Sequence, residues 1–359
     1  MQDEYRVVGV MSGTSMDGVD IALCRFWKEN GQWKYEIPAA EVFSYSPAWL
    51  ARLETLPDTT AKNLAEIHYE YGSFLGQKVR SFLKKYSLEA DLVASHGHTI
   101  FHDPSQNFTF QLGDGNAIAA TCGISTVYDF RSMDIALGGE GAPLVPVGDA
   151  LLFSEYDLCL NLGGIANVSY QDPKTNSRIA GDICACNQVL NFLSHRLGYS
   201  YDDGGKIAKR GQVNEPLRIL LNASPFFKRP FPRSLGREWV EENLIPLLVH
   251  SAVPIGNQLT TFTHHIADQI ALSLQKTGIT DGKMLVTGGG AFNTFLIDLL
   301  RQRTQINVVL PDENLINFRE AAIFAFLGML RDRNEVNVWS SVTGATHDHS
   351  GGVIARVLK

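Results

Sequence analysis

Apolar and polar positions along the chain follow two rhythms. Residues 6–10 and 19–26 are apolar runs bounded by turn residues and read as strands. Residues 64–86 carry Leu64, Ile67, Tyr71, Phe74, Leu75, Val79, Phe82 and Leu83 at three- and four-residue steps, which predicts one long amphipathic helix. A strand over 91–95 follows it. Phe262, Ile266 and Ile270 form a stripe on a helix over 259–275, followed by a strand over 284–287. A helix over 292–302 leads to a strand over 306–310, and a last helix covers 319–331. Strand and helix signals that alternate in this way predict an α/β protein.

The pattern also repeats coarsely. Residues 7–26 read strand, glycine-containing turn, strand, and residues 158–170 repeat that layout about 150 residues later, too long a period for a solenoid. Two similar domains account for it. Gly138, Gly139, Gly141, Pro143 and Pro146 fall between the echoes and mark a hinge region. The expected division is domain I over 1–129, completed by 338–359, and domain II over 130–337.

Composition narrows the function. The 359 residues hold 45% hydrophobic and 19% charged residues, with net charge −7, as in soluble globular proteins. No basic block suits a nucleic acid. No apolar run reaches the roughly 18 residues of a membrane span. The acidic start Met1-Gln2-Asp3-Glu4-Tyr5 lacks a signal-peptide core, so a cytoplasmic location is expected. The five cysteines follow no disulfide-scaffold spacing and read as free thiols.

The turn Met11-Ser12-Gly13-Thr14-Ser15-Met16-Asp17-Gly18-Val19-Asp20 carries the strongest chemical signal. Its glycines permit close approach to a ligand, its hydroxyls and turn N–H groups suit an anion, and Asp17 and Asp20 offer hard oxygens to Mg2+. These are also ordinary turn residues. No Gly-Lys-Ser/Thr follows, so the turn is not a P-loop. Two further glycine sites stand beside it. Gly163-Gly164 lies in a second hairpin, where a type I′ turn is the plain alternative. Gly288-Gly289-Gly290 joins a strand to a helix, where a nucleotide or simple packing would both fit.

Together these pieces resemble the actin/Hsp70/hexokinase-type superfamily, and more narrowly the 1,6-anhydro-N-acetylmuramic acid kinase family. Further matching blocks are Ser95-His96-Gly97-His98-Thr99, Phe110-Gln111-Leu112-Gly113-Asp114, Asp129-Phe130-Arg131, the run from Gly138 to Pro146, Asn161-Leu162-Gly163-Gly164-Ile165-Ala166-Asn167, Ser234-Leu235-Gly236-Arg237-Glu238 and Glu320-Ala321. The resemblance spans about residues 7–353. It implies a two-domain, ribonuclease H-like α/β fold with a central interdomain cleft that closes on ATP and sugar. It implies a kinase that hydrates the anhydro bridge of 1,6-anhydro-N-acetylmuramic acid and phosphorylates O6 from ATP with Mg2+. The product, N-acetylmuramic acid 6-phosphate, enters cell-wall recycling, and a homodimer is implied as well.

Carried over residue by residue, the family pattern gives ATP contacts to Gly13, Thr14, Ser15, Met16, Asp17, Gly18, Val19, Asp20, Gly163, Gly164, Gly288, Gly289 and Gly290, and metal contacts to Asp17 and Asp20. Asp182 becomes the base for the attacking water, against the alternative of a helix N-cap. Asp182 and Asn187 keep the ends of the family's Asp-Thr-Gly-Pro-Gly-Asn run, while Ile183, Cys184, Ala185 and Cys186 replace its interior and suggest an altered loop path. Arg131 is assigned the substrate's lactyl carboxylate, against a surface salt bridge. Glu320 is assigned the sugar or the water, against a plain helix-start glutamate. Two alternatives remain: a kinase of the same fold for another sugar or carboxylate, and a non-catalytic ATP-binding module.

Other clusters read as structural. His96 and His98 alternate along a strand edge and read, with His102, as substrate-domain loop structure. His264-His265 read as a solvated or satisfied pair. Lys228, Arg229 and Arg233, among Phe226, Phe227 and Phe231, read as a loop packed at a domain or dimer edge.

Overall fold

The computed structural model describes residues 4–358 except 14, 15 and 17, so Thr14, Ser15 and Asp17 lie outside the described residues. The chain forms two compact units, Met1–Leu152 with Phe318–Lys359, and Phe153–Asn317.

The first unit contains β1 (Glu4–Ser12), β2 (Val19–Glu29), β3 (Gln32–Phe43), β4 (Leu92–Asp103), β5 (Phe108–Leu112) and β6 (Thr126–Tyr128); β12 (Val353–Ala355) returns to it near the end of the chain. Its sheet runs β12-β6-β4-β1-β2-β3, with β5 paired to β4. The three strands β1 to β3 are antiparallel, and β1, β4 and β6 are parallel. The helix Ala61–Tyr86 starts at Thr60, whose hydroxyl accepts from the Asn63 N–H at 3.2 Å. It buries Ile67, Tyr71, Leu75, Val79 and Phe82 in the core with Val8, Val10, Ile21 and Val93. A Cβ on Gly72 would fall 2.5 Å from the Asp114 carbonyl oxygen, so this helix face stays small where the helix Gly115–Cys122 crosses it.

The second unit contains β7 (Leu158–Leu162), β8 (Ile165–Gln171), β9 (Arg178–Ala185), β10 (Lys283–Thr287) and β11 (Asn307–Val309), in the order β11-β10-β7-β8-β9. Here too three consecutive strands are antiparallel, and β7, β10 and β11 are parallel. The helix Ile255–Lys276 buries Leu259, Phe262, Ile266 and Ile270 with Leu160, Val168 and Val286. The internal echo is thus a duplicated strand order, and both halves carry the antiparallel-then-parallel sheet of the ribonuclease H-like core.

The unit boundaries differ from the sequence reading of 1–129 with 338–359 and 130–337. Residues 130–152 and 318–337 belong with the first unit, because their apolar faces pack on its sheet. The Phe130 and Phe26 rings meet Phe324 and Phe326 at 5.4 and 5.3 Å, and a Cβ on Gly9 would lie 1.9 Å from the Ala321 carbonyl oxygen. The last long helix begins at Glu313, not near 319, and Phe318 breaks its geometry with φ −115° and ψ 15°. Glu320 therefore stands two residues past a kink rather than at a helix start. No helix among the described residues is long and apolar enough to cross a membrane.

Candidate active site

In the first unit, β1 and β2 form the expected hairpin, with Met11 opposite Asp20. Gly13, Met16, Gly18, Val19 and Asp20 are described at its tip and base. The Met16 N–H donates to the Gly13 carbonyl at 3.2 Å, and Met16 has a left-handed φ of 57°. A Cβ on Gly18 would meet the Phe43 carbonyl oxygen at 2.8 Å, so packing alone demands that glycine. Val19 is buried and opens β2, and half-buried Asp20 follows it. The base of the hairpin is fixed from below: the Ser12 hydroxyl accepts from Tyr71 at 2.8 Å and shares hydrogen bonds with Tyr45 at 2.5 Å and His98 Nδ1 at 3.2 Å.

His96 and His98 do not point the same way. Val10 pairs with Ser95 while Ser12 pairs with His98, so β4 holds one extra residue there, and Gly97 takes a left-handed φ of 73°. This bulge breaks the two-residue alternation that the sequence reading assumed. Both imidazoles are buried in the sheet, not in a loop of the other unit. His96 Nδ1 sits 2.8 Å from the Gly97 carbonyl, and its Nε2 accepts from Arg131 Nε at 3.0 Å and Nη2 at 2.7 Å. Burial and the adjacent guanidinium pull the His96 pKa well down, so the ring is neutral and its Nε2 is a standing acceptor.

Arg131 forms no surface salt bridge. Its Nη1 donates to the Gly141 carbonyl at 2.6 Å, and with the two bonds to His96 this leaves two of its five N–H donors for a ligand. Burial lowers its pKa to about 10, opposed by the Glu320 and Asp134 carboxylates, so it stays a cation at neutral pH. Glu320 therefore shares the neighbourhood of Arg131. Asp134 braces the Gly138–Gly141 turn, accepting from the Gly141 N–H at 2.7 Å and the Thr343 hydroxyl at 2.6 Å.

In the second unit, Gly163 and Gly164 form a two-residue turn between β7 and β8. Neither has a left-handed φ, so the turn is not type I′. Its carbonyls cap the helix Asn187–His195: Gly163 accepts from Asn187 N–H at 3.1 Å, and Gly164 accepts from Cys186 at 2.8 Å and Gln188 at 3.2 Å. A Cβ on Gly164 would come no closer than 3.9 Å to the Gln188 side chain, and one on Gly163 would make only a tight contact at 3.3 Å with the Asn161 amide. Packing does not demand Gly164, which fits a ligand lying against that backbone. Gly288 and Gly290 differ, since Cβ atoms there would fall 2.5 Å from Asn161 Oδ1 and 2.6 Å from Leu162 Cβ; Gly289 has only ordinary contact, at 3.5 Å. Asn187 ties the two glycine sites together by donating to the Leu162 carbonyl at 2.8 Å.

Asp182 lies within β9 and is no helix N-cap. It pairs with Asn167, while Cys184 pairs with Ala166, so Ile183 is an extra residue in a bulge beside the carboxylate. Asp182 Oδ2 accepts from the Leu235 N–H at 2.7 Å and is 3.5 Å from the Ser234 hydroxyl. Burial pushes its pKa up, and those donors with nearby Arg233 pull it back. The segment after Asp182, expected to follow an altered loop path, is no open loop: Ile183, Cys184 and Ala185 continue the strand and are fully buried with Cys186. Both thiols are free, and burial raises their pKa values, to about 12 for Cys186.

Sequence reasoning did not single out His96 as the partner of Arg131, nor the Leu235 N–H. The nearest signal was their membership of the blocks Ser95–Thr99 and Ser234–Glu238. Among the described residues no three His, Cys, Asp or Glu side chains cluster to hold a metal by themselves.

A family model described as anhydro-N-acetylmuramic acid kinase matches residues 5–356. The anhydro-N-acetylmuramic acid kinase of Mannheimia succiniciproducens is 34% identical over 383 residues, covering 99% of each chain. That of Photobacterium profundum is 35% identical over 381 residues, covering 97% of this chain and 98% of its own. Among solved structures, component A of the (R)-2-hydroxyglutaryl-CoA dehydratase of Acidaminococcus fermentans is 13% identical with a TM-score of 0.47, covering 89% of this chain and 96% of that one. With a family match over nearly the whole length, this chain belongs to the anhydro-N-acetylmuramic acid kinase family.

Proposed function

We propose that this ATP-dependent kinase uses Asp182 to activate water against C1 of 1,6-anhydro-N-acetylmuramic acid, opening the bridge, and transfers the γ-phosphoryl group of ATP to the freed O6. The products are N-acetylmuramic acid 6-phosphate and ADP. The observation that carries this reading is the environment of Asp182: one carboxylate oxygen is fixed by a backbone N–H, and burial makes the group a better proton acceptor. Water gives its proton to Asp182 and its oxygen to C1, the C1–O6 bond breaks, and O6 attacks phosphorus as ADP leaves.

The other assigned residues bind rather than react. Gly163, Gly164 and Gly289 leave room for phosphate or nucleoside against backbone, and Gly288 and Gly290 shape the joint that holds it. Gly13, Thr14, Ser15, Met16, Gly18 and Val19 contribute the first hairpin's phosphate contacts. Arg131 offers its remaining N–H donors to the lactyl carboxylate, and Glu320 accepts from sugar hydroxyls or the water. Asp17 and Asp20 would hold Mg2+, which neutralises phosphate charge when bound. We further place the chain in the cytoplasm as a homodimer, which light scattering on the purified protein tests.

ADP release with sugar, ATP and Mg2+ is the direct test, comparing the native chain with Asp182→Asn. Sugar-dependent turnover that drops by about 10³-fold in the variant, with ATP affinity retained, is expected. Turnover only on other sugars, ATP bound without turnover, or an active variant would each overturn a distinct part of this reading.

A further inference from the structure

Arg233 reads in the sequence as one of a few basic residues in an edge loop, yet its side chain is buried between two aromatic rings. Its guanidinium carbon lies 4.9 Å from the Phe226 ring centroid and 4.8 Å from that of Phe231. Nε donates to the Asp182 carbonyl at 2.8 Å. Nη2 donates to the Ile183 carbonyl at 3.3 Å and the Ser273 hydroxyl at 3.1 Å. Nη1 donates to the carbonyls of Phe226, Phe227 and Arg229 at 3.4, 3.2 and 3.0 Å. The backbone answers in kind, since the Asp182 N–H donates to the Arg233 carbonyl at 2.8 Å and the Leu235 N–H to Asp182 Oδ2.

Among the described residues no carboxylate neutralises this cation through a hydrogen bond; its acceptors there are neutral oxygens. A buried charge is costly, and covering the edge of β9 needs only backbone pairing or an apolar side chain. What the guanidinium adds is a rigid multi-point clamp that joins the carbonyls of Asp182 and its bulged neighbour Ile183 to those of Phe226, Phe227 and Arg229. We infer that Arg233 is a positioning residue for Asp182. It holds residues 233–235 against β9, so that the Leu235 N–H fixes Oδ2 and Oδ1 keeps one direction toward the water it deprotonates. This inference rests on Asp182 acting as the base.

The test uses the full chain, the ADP-release assay and calorimetric ATP titration. Arg233→Lys should lower kcat by about 10²-fold, the effect of a reacting group displaced by about 1 Å. ATP affinity and the KM for sugar should stay within about threefold, since neither binding surface is touched. Guanidinium added to Arg233→Ala should restore part of kcat, which a purely structural role would not predict. Because Arg233 acts through Asp182, the double variant with Asp182→Asn should be no slower than Asp182→Asn alone. A folded Arg233→Lys with native kcat overturns the inference, as does a double variant slower than Asp182→Asn. If the Arg233 variants fail to bind ATP, Ser273→Ala decides: a few-fold loss of kcat at native KM supports the clamp, and native kcat sinks it. A fully active Asp182→Asn removes the base reading itself, whereas an inactive one beside an unchanged Arg233→Lys removes only the positioning role.

Discussion

The two sheets share one strand order, yet their leading hairpins are built on different terms. In the first, Gly18 is forced by the Phe43 carbonyl, and the base of the hairpin is anchored from below by Ser12, Tyr45, Tyr71 and His98. In the second, the two-residue turn is pinned by carbonyls that cap a helix, while a Cβ on Gly164 would meet no described atom closer than 3.9 Å. A glycine that packing explains says nothing about ligands. One that packing leaves unexplained leaves room for a ligand, and by that criterion the second hairpin is the better test of the phosphate contacts proposed above.

Substitution at these glycines gives the largest expected effect and tests the contrast directly. Gly164→Val should weaken ATP binding by about 100-fold, as expected when preorganised phosphate donors are blocked, with little change in melting temperature. Gly290→Val should do the reverse in kind, costing about 1–3 kcal/mol of stability because its Cβ overlaps Leu162. Calorimetry and thermal melting on both variants separate the two. An unchanged ATP affinity in Gly164→Val would break the comparison.

Next in size is the guanidinium of Arg131 in the first unit, proposed above to take the lactyl carboxylate. Arg131→Ala should raise the KM for sugar by about 10- to 100-fold, the range of a lost charge-assisted pair, and leave ATP affinity unchanged. His96→Ala should reproduce part of that loss by releasing the guanidinium, and His96→Gln should recover some of it by restoring an acceptor. Steady-state kinetics at saturating ATP measures all three. Equal KM values for native and Arg131→Ala would remove Arg131 from the sugar site.

The fold was legible in the sequence wherever a long stripe set the period. The helix predicted over 64–86 is Ala61–Tyr86, and the strand over 284–287 is Lys283–Thr287. Local irregularities were not legible, because one inserted residue leaves no mark on composition. The bulge at His96-Gly97 sends two histidines to different partners, and the bulge at Ile183 turns an apparent loop into a buried strand end. Arg233 was missed for a related reason: a basic residue among aromatics has the same sequence signature on a surface as in a buried clamp. Only the oxygen acceptors that surround it, supplied by three separate stretches of chain, distinguish the two.

A smaller effect concerns buried histidines of both units. Burial pushes His96 well down and His265 to about 3, so neither ring takes a proton in the folded chain where an unfolded histidine would, near 6.5. Below that value the unfolded state binds more protons, so stability is present above pH 6.5 and is lost as pH falls toward 3. For His265 the loss at pH 5 amounts to about 2 kcal/mol. Urea unfolding at pH 7 and pH 5 should show it, and His265→Gln should flatten the slope by that amount. A slope unchanged in the variant would place the acid sensitivity elsewhere, with His96 in the first unit the next group to test.

The smallest expected change bears on the buried segment that follows Asp182. Cys184 and Cys186 are fully buried in the strand end and helix cap that follow Asp182, and burial holds both thiols protonated. Neither sulfur is offered to a ligand or a metal by this geometry. Cys184→Ala should therefore cost about 1 kcal/mol of stability through the lost packing volume. Its kcat and KM should stay near native, because Asp182 is held by Leu235 and Arg233 from the opposite side of the backbone pairing. Alkylation should follow the same logic: half-buried Cys122 reacts before either of these two, which react only as the second unit unfolds. A Cys184→Ala variant with altered sugar selectivity would instead show that the strand end reaches the substrate. The second unit would then read its ligand through side chains as well as through a bare glycine turn, and the contrast with the first unit would narrow.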